Sequence, residues 1–165
     1  MEAIVAIFVI TAGIVGVLSL VTQTISSAIV SEDKLIAAYL AQEGIEIIRN
    51  IRDTNWIEAE TYFNDWNEGL TGCSGGCEAD YTTSSILDPT LPSYNGGRFL
   101  KIDGGFYNYT SGTDTKFKRK ITISELGTVD CPAGVCLNVA VLVEWQEKGK
   151  PFNVPAQENL YNWYQ

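Results

Sequence analysis

Four cysteines in two close pairs, Cys73 with Cys77 in GCSGGC and Cys131 with Cys136 in CPAGVC, are the most reactive side chains of this 165-residue chain. Such pairs can close disulfides or hold a metal ion. Four cysteines allow three pairings, and sequence alone does not choose among them. The Gly and Pro residues inside each short loop let the chain double back, which favours the two local bridges. A four-cysteine zinc site is the alternative, although both spacings are wider than the commonest CxxC.

Other chemistry is scarce. The chain has no histidine, so the commonest general base and the commonest metal ligand are both missing. No phosphate-binding glycine loop, GxSxG elbow, HExxH pair or GxGxxG turn occurs. Neither an enzyme nor a cofactor is expected. With 20 acidic against 11 basic residues and a net charge of -9, the chain lacks the basic footprint of a nucleic-acid binder. KFKRK at 116–120 is the one basic run. It is expected on the exposed side of a strand, with DNA or an anionic cell surface as the alternative contact. Asn108-Tyr109-Thr110 reads as a glycosylation sequon, a pattern common by chance.

The remaining chemical feature is a carboxylate in an unusual place. Glu2 heads MEAIVAIFVITAGIVGVLSLV, and residues 3 to 31 contain no Asp, Glu, Lys or Arg. A helix needs roughly 20 apolar residues to cross a bilayer, and Ala3 to Val21 meets that. A cleaved secretory signal is the competitor. Its apolar core runs about 7–15 residues after a basic start, whereas here the start is acidic and no Lys or Arg precedes Lys34. Taking an unpaired carboxylate out of water costs many kcal/mol. Glu2 either snorkels to the interface or pairs with a cation supplied by another molecule. A staggered stack of identical helices would set one copy's Glu2 beside the next copy's terminal ammonium on Met1. Such pairing neutralises both charges and fixes a register.

The elements that carry these groups follow from the pattern. Residues 2 to about 54 lack proline and read as one helix, apolar all round at first and amphipathic from KLIAAYLAQEGIEIIRNIRDTNW onward. In the second half, Ile36, Leu40, Gly44, Ile47 and Ile51 make the expected inner row. Glu46–Arg49 and Arg49–Asp53 are the expected surface pairs. Some 50 residues would reach about 75–80 Å, more than twice a bilayer, so the amphipathic half must pack on something outside the membrane. Gly13 and Gly16 interrupt the apolar half, at roughly 1 kcal/mol each relative to alanine. They read as close helix packing or as a place where the helix can stretch.

Residues 55–96 are rich in Gly, Ser, Asn, Asp and Pro and read as a long loop, with a helical turn near Ile57 to Phe63. RFLKI (98–102) and FYNYT (106–110) read as a hairpin across Asp-Gly-Gly. KFKRKITISEL (116–126) and CLNVAVLVEWQEK (136–148) alternate, with Phe117, Ile121 and Ile123 on the apolar side of one. Leu137, Val139, Val141, Val143 and Trp145 share one side of the other. A turn at Gly149-Lys150 leads to a last strand through Phe152 and Val154, and LYNWYQ reads as an edge strand or packing element. The expected class is α+β: a long N-terminal helix packed on an antiparallel sheet. Residues 1–34 would be the apolar membrane or polymerisation helix. Residues 35–165 would be the globular part, with half-helix 35–54, loop 55–96 and sheet 97–165.

On these residues the chain resembles a known family. EAIVAIFVITAGIVGVLSLV is similar to the N-terminal segment of type IV pilins and type II secretion pseudopilins, whose glutamate Glu2 matches in context. LAQEGIEIIRNIRDTNW and the closing VEWQEKGKP…LYNW resemble pilin-like proteins of uncultured bacteria. The first match is the more diagnostic. The resemblance implies a precursor in the cytoplasmic membrane, trimmed and methylated by a prepilin peptidase. An ATPase-driven assembly machinery then draws it into a helical filament of identical subunits, with apolar helices inside and globular domains outside. Ala3, Ile4, Val5, Ile7, Phe8, Ile10, Ile14, Val17, Leu18 and Val21 would pack in the filament core, and Glu2 with Met1 would register subunits. The family's Gly before its cleavage point and Phe after it are absent here. The resemblance therefore implies either a leader and about three mature residues ahead of this stretch, or Met1 as a divergent start. The helix-breaking proline many members carry is also absent, which makes Gly13 and Gly16 the expected melting site.

The function expected is that of a structural pilin in an extracellular filament on the bacterial surface, serving adhesion, motility or DNA uptake. A minor pilin or secretion pseudopilin is the first alternative, and a membrane-anchored adhesin domain that never polymerises is the second.

Overall fold

The proline-free stretch forms a single helix, α1 (Glu2–Tyr62), 61 residues long. The computed structural model of the protein describes residues 1–62, 65–83, 91–96 and 98–163. Phe63, Tyr164 and Gln165, to which sequence expectations also applied, lie outside them. Six strands follow: β1 (Lys101–Asp103), β2 (Phe106–Asn108), β3 (Thr113–Asp114), β4 (Lys118–Ser124), β5 (Cys136–Glu147) and β6 (Lys150–Tyr161). The fold is α+β, and the chain divides into two units, Met1–Ile36 and Ala37–Gln165.

The N-terminal unit is helix alone. From Met1 to Ile25 its apolar side chains are exposed around the whole circumference, as a run without polar spacing dictates. Thr11, Thr22, Thr24 and Ser31 hydroxyls donate back to carbonyls three or four residues earlier, so these polar groups are satisfied within the helix itself.

In the C-terminal unit the rest of α1 covers an antiparallel sheet of order β4-β5-β6. The buried helix row is Ala37, Leu40, Ala41, Gly44, Ile48 and Ile51: Leu40, Gly44 and Ile51 of the expected row are in it, while Ile36 and Ile47 are only half-buried. Gly44 sits against the sheet. A Cβ there would meet Val141 Cγ1 at 3.0 Å and Arg119 Cδ at 3.2 Å, so the helix touches the sheet at its glycine and the inner face is centred on it. Facing it are Ile121, Ile123, Val139, Val141, Val143 and Leu160, all buried. The alternation predicted for β5 holds: its burial switches at every residue from Leu137 to Trp145. α1 also runs on without a break through Asn55 and Trp56 to Tyr62, where a loop with a separate helical turn near Ile57 to Phe63 was expected; Asn55 Nδ2 donates to the carbonyls of Trp66 and Glu68 and ties the helix to the next turn. Arg49 pairs with Glu46 and with Glu158 on β6, while Asp53 pairs with Arg52 instead of Arg49.

The expected single meander is two sheets. β1 is central in a second one of order β2-β1-β3, and β3, two residues long, was too short to leave a periodic signal. The edge of β4 is closed by the 73–77 loop: Cys77 and Ile121 exchange N–H···O bonds of 2.7 and 3.0 Å, and Ile123 N donates to Cys73 O. The edge of β6 is handled otherwise. Asn162 N donates to Val135 O, and in the continuing β5–β6 register this sends even-numbered N–H groups inward and odd-numbered ones to the open edge. Pro151 and Pro155 are odd-numbered and have no N–H to present.

Hairpin turns follow their chemistry. β5 and β6 are joined by Lys148-Gly149, with φ of 50 and 77°, one residue earlier than the expected Gly149-Lys150. Two positive φ values in a two-residue loop match the strand twist, but lysine is strained there. Lys148→Asn is expected to raise stability by about 0.5–1 kcal/mol, read as a higher urea midpoint at unchanged slope.

Candidate functional site

Each cysteine meets its near neighbour in sequence. Cys73–Cys77 and Cys131–Cys136 are disulfide-bonded, with Cα–Cα distances of 5.4 and 5.0 Å. All four sulfurs are thereby engaged, and among the described residues no group of three or more His, Cys, Asp or Glu is placed to hold a metal ion. Both bridges are buried. The first pins the loop that closes the β4 edge, and the second closes the turn leading into β5.

The residues singled out on the N-terminal helix lie as follows. Glu2 occupies the first turn of α1, where a carboxylate faces the unsatisfied N–H groups and the positive end of the helix dipole. Among the described residues it makes no hydrogen bond or ion pair, and none joins it to the Met1 amine of its own chain. Ile4, Val5, Ile7, Phe8, Ile10, Ile14, Val17, Leu18 and Val21 are all exposed, Ile4 at 72%, as is Ala3. No atom lies within 4 Å of an ideal Cβ at Gly13 or Gly16, so neither glycine is used for packing within the monomer. The most apolar 18-residue window has a mean hydropathy of 2.8 and is 0% buried. By length and composition this helix can cross a membrane.

Sequence reading missed a polar knot in the C-terminal unit. Arg119, expected on an exposed strand face within KFKRK, is 0% exposed. Its Nη1 donates to Leu40 O (3.0 Å) and Glu43 Oε2 (3.1 Å), and its Nη2 donates to Ala79 O (2.6 Å). Glu78, 2% exposed, is held by Arg98 Nε at 2.7 Å. Asp80 Oδ2 accepts from Tyr109 N at 3.0 Å, and Tyr109 OH donates to Arg119 O at 3.1 Å. The 77–80 segment is thus fastened by charged groups where it crosses the core. The signal was in the alternation: Arg119 has the same parity as Phe117, Ile121 and Ile123, which are buried.

Asn108 is 1% exposed, and its Oδ1 accepts from the Thr110 and Ser111 N–H groups. The sequon asparagine is a turn-former in the core, closed to a glycan in the folded chain.

Burial pushes the Tyr109 hydroxyl up from 10.0 to about 12, and burial also raises Tyr94 and Tyr107. In the unfolded chain tyrosine ionises near 10, so between about pH 10 and 12 the unfolded state binds fewer protons. The stability these tyrosines contribute is therefore fully present below that window and is lost as pH rises through it. Urea midpoints measured across the window are expected to fall less steeply in Tyr109→Phe than in the parent.

No family model, curated protein or solved structure matches this chain.

Proposed function

We propose that this protein is a pilin-type subunit: a non-enzymatic building block of an extracellular helical filament, held in the cytoplasmic membrane before assembly. The observation that carries the reading is a helix whose first half exposes apolar side chains on every side, headed by a carboxylate without a partner among the described residues. Monomers in water rarely leave more than a few hundred Å2 of contiguous apolar surface uncovered. Lipid covers such a helix first, and copies of the same helix cover it afterwards. The assembly step exchanges one apolar solvent for another, so its direction is set by packing and by the pairing of Glu2 with a cation of a neighbouring copy. Prepilin peptidase and the pilus assembly machinery are the partners this reading requires.

Electron microscopy of sheared surface fractions, with peptide mass spectrometry of what they contain, tests it. Filaments built chiefly of this chain are expected. Filaments in which the chain is a trace component indicate a minor pilin or pseudopilin. A chain that stays in the membrane fraction, monomeric in detergent and absent from any filament, overturns the reading in favour of an anchored domain.

A further inference from the structure

The C-terminal unit holds a groove of about 620 Å3 that the assembly helix does not involve. Such a volume falls in the range of small-ligand sites. Its walls are aromatic and polar together. Phe152 stacks on Trp145 with ring centroids 5.5 Å apart. Trp145 is buried, so half-buried Phe152 and Phe99, 42% exposed and with Lys118 Nζ 4.6 Å from the centroid on one side of its ring, present the ring surface. Beside them a row of register partners crosses the whole sheet, Lys118 to Glu144 to Asn153. Asp114 and Gln146 complete the polar lining.

The electrostatics narrow the ligand class. Lys116 Nζ lies 3.1 Å from Glu147 Oε2, Lys101 Nζ lies 3.5 Å from Asp114 Oδ1, and Lys118 Nζ donates to Gly96 O at 3.2 Å. The lining holds two lysines, Lys116 and Lys118, and two carboxylates, Asp114 and Glu144, so no excess of either sign is left to capture an ion. Ring surface remains, next to carboxylate acceptors and amides that both donate and accept. A neutral pyranose fits that pairing: its C–H face lies on an aromatic ring while its hydroxyls donate to Glu144 and Asp114 and exchange hydrogen bonds with Gln146 and Asn153. An anionic ligand would find no net positive charge in this lining.

We propose that this groove binds a short segment of a neutral oligosaccharide, with Phe99 as the stacking surface and Glu144 as the hydroxyl acceptor. The proposal stands whether or not the N-terminal helix polymerises. Its test uses the full chain in a detergent without a sugar headgroup, with saturation-transfer NMR of chitotetraose, cellotetraose, maltotetraose and a heparin-derived tetrasaccharide. At least one neutral tetrasaccharide is expected to bind, about tenfold more weakly to Phe99→Ala, the equivalent of ~1.4 kcal/mol. Glu144→Gln, which keeps shape and loses charge, is expected to weaken binding in the same direction. Phe106→Ala removes another exposed ring that does not line the groove and is expected to bind as the parent does. Binding by none of the neutral sugars, binding by the heparin fragment alone, or equal effects of Phe99→Ala and Phe106→Ala would each overturn the proposal.

Discussion

Arg119→Ala is expected to lower the unfolding free energy of the C-terminal unit by about 4 kcal/mol, the combined cost of a stripped buried carbonyl and of the cavity that a large buried side chain leaves. Three acceptors lose their donor at once: the carbonyls of Leu40 and Ala79 and the Glu43 carboxylate. Glu43 is a third exposed and regains water, so little of the loss arises there. The Leu40 carbonyl keeps its helical hydrogen bond from the Gly44 N–H, so the buried carbonyl left short is that of Ala79, and an unsatisfied buried group costs about 1–3 kcal/mol. The cavity left by the largest fully buried side chain adds to this. Against a typical domain stability of about 5–15 kcal/mol, the variant stands near the edge of folding. Arg119→Lys is expected to recover only part of the loss, because one ammonium cannot reach acceptors on both sides as the guanidinium fork does. Urea unfolding monitored by tryptophan fluorescence checks both. An Arg119→Ala midpoint close to the parent's would show that water enters and satisfies the Ala79 carbonyl.

Glu2→Ala is expected to abolish filaments while leaving the C-terminal unit's urea midpoint unchanged. The two halves of this outcome have separate causes. Glu2 makes no ion pair with any described residue, so its loss removes no contact from the C-terminal unit. In an assembly of apolar helices the carboxylate has to leave water, and the cation it meets there must leave water too. Alanine would keep the apolar surface and its attraction for lipid, yet strand that cation in the apolar core, where an unpaired charge is strongly disfavoured. Glu2→Gln separates charge from shape and is expected to fail as alanine does. Filaments of ordinary abundance from Glu2→Ala would remove the registering role and leave helix packing alone to order the subunits.

Some features lie close to the surface of the sequence. The change from an all-round apolar helix to an amphipathic one, the strict alternation from Leu137 to Val143, and the doubling back at each cysteine pair are short-range signals, and the structure contains them. The inner row of α1 was legible only in part. Leu40, Gly44 and Ile51 were placed in it, but whether Ile36 and Ile47 or Ala37, Ala41 and Ile48 flank them depends on the sheet, where Val141 meets Gly44 from nearly a hundred residues away. Arg119 was misread because a basic run suggests a surface, and composition was weighed above parity. The residues that accept from it come from α1 and from the 77–80 segment, so its burial is a property of the assembled core. Glu2 is the opposite case. Its oddity is visible in the sequence, and the structure of a single chain adds no partner for it. The groove by Phe99 left no local sign, since its lining comes from five separated stretches.

The two prolines of the last strand bear on life in a crowd. A bare strand border invites neighbours to stitch onto it, and many copies held shoulder to shoulder raise the local concentration of such borders far beyond that of free monomers. With Pro151 and Pro155 spaced along it, a second chain laid there finds gaps at intervals in the donors it needs. Close neighbours can then share a boundary without fusing into a continuous sheet, and any order among them must come from contacts elsewhere.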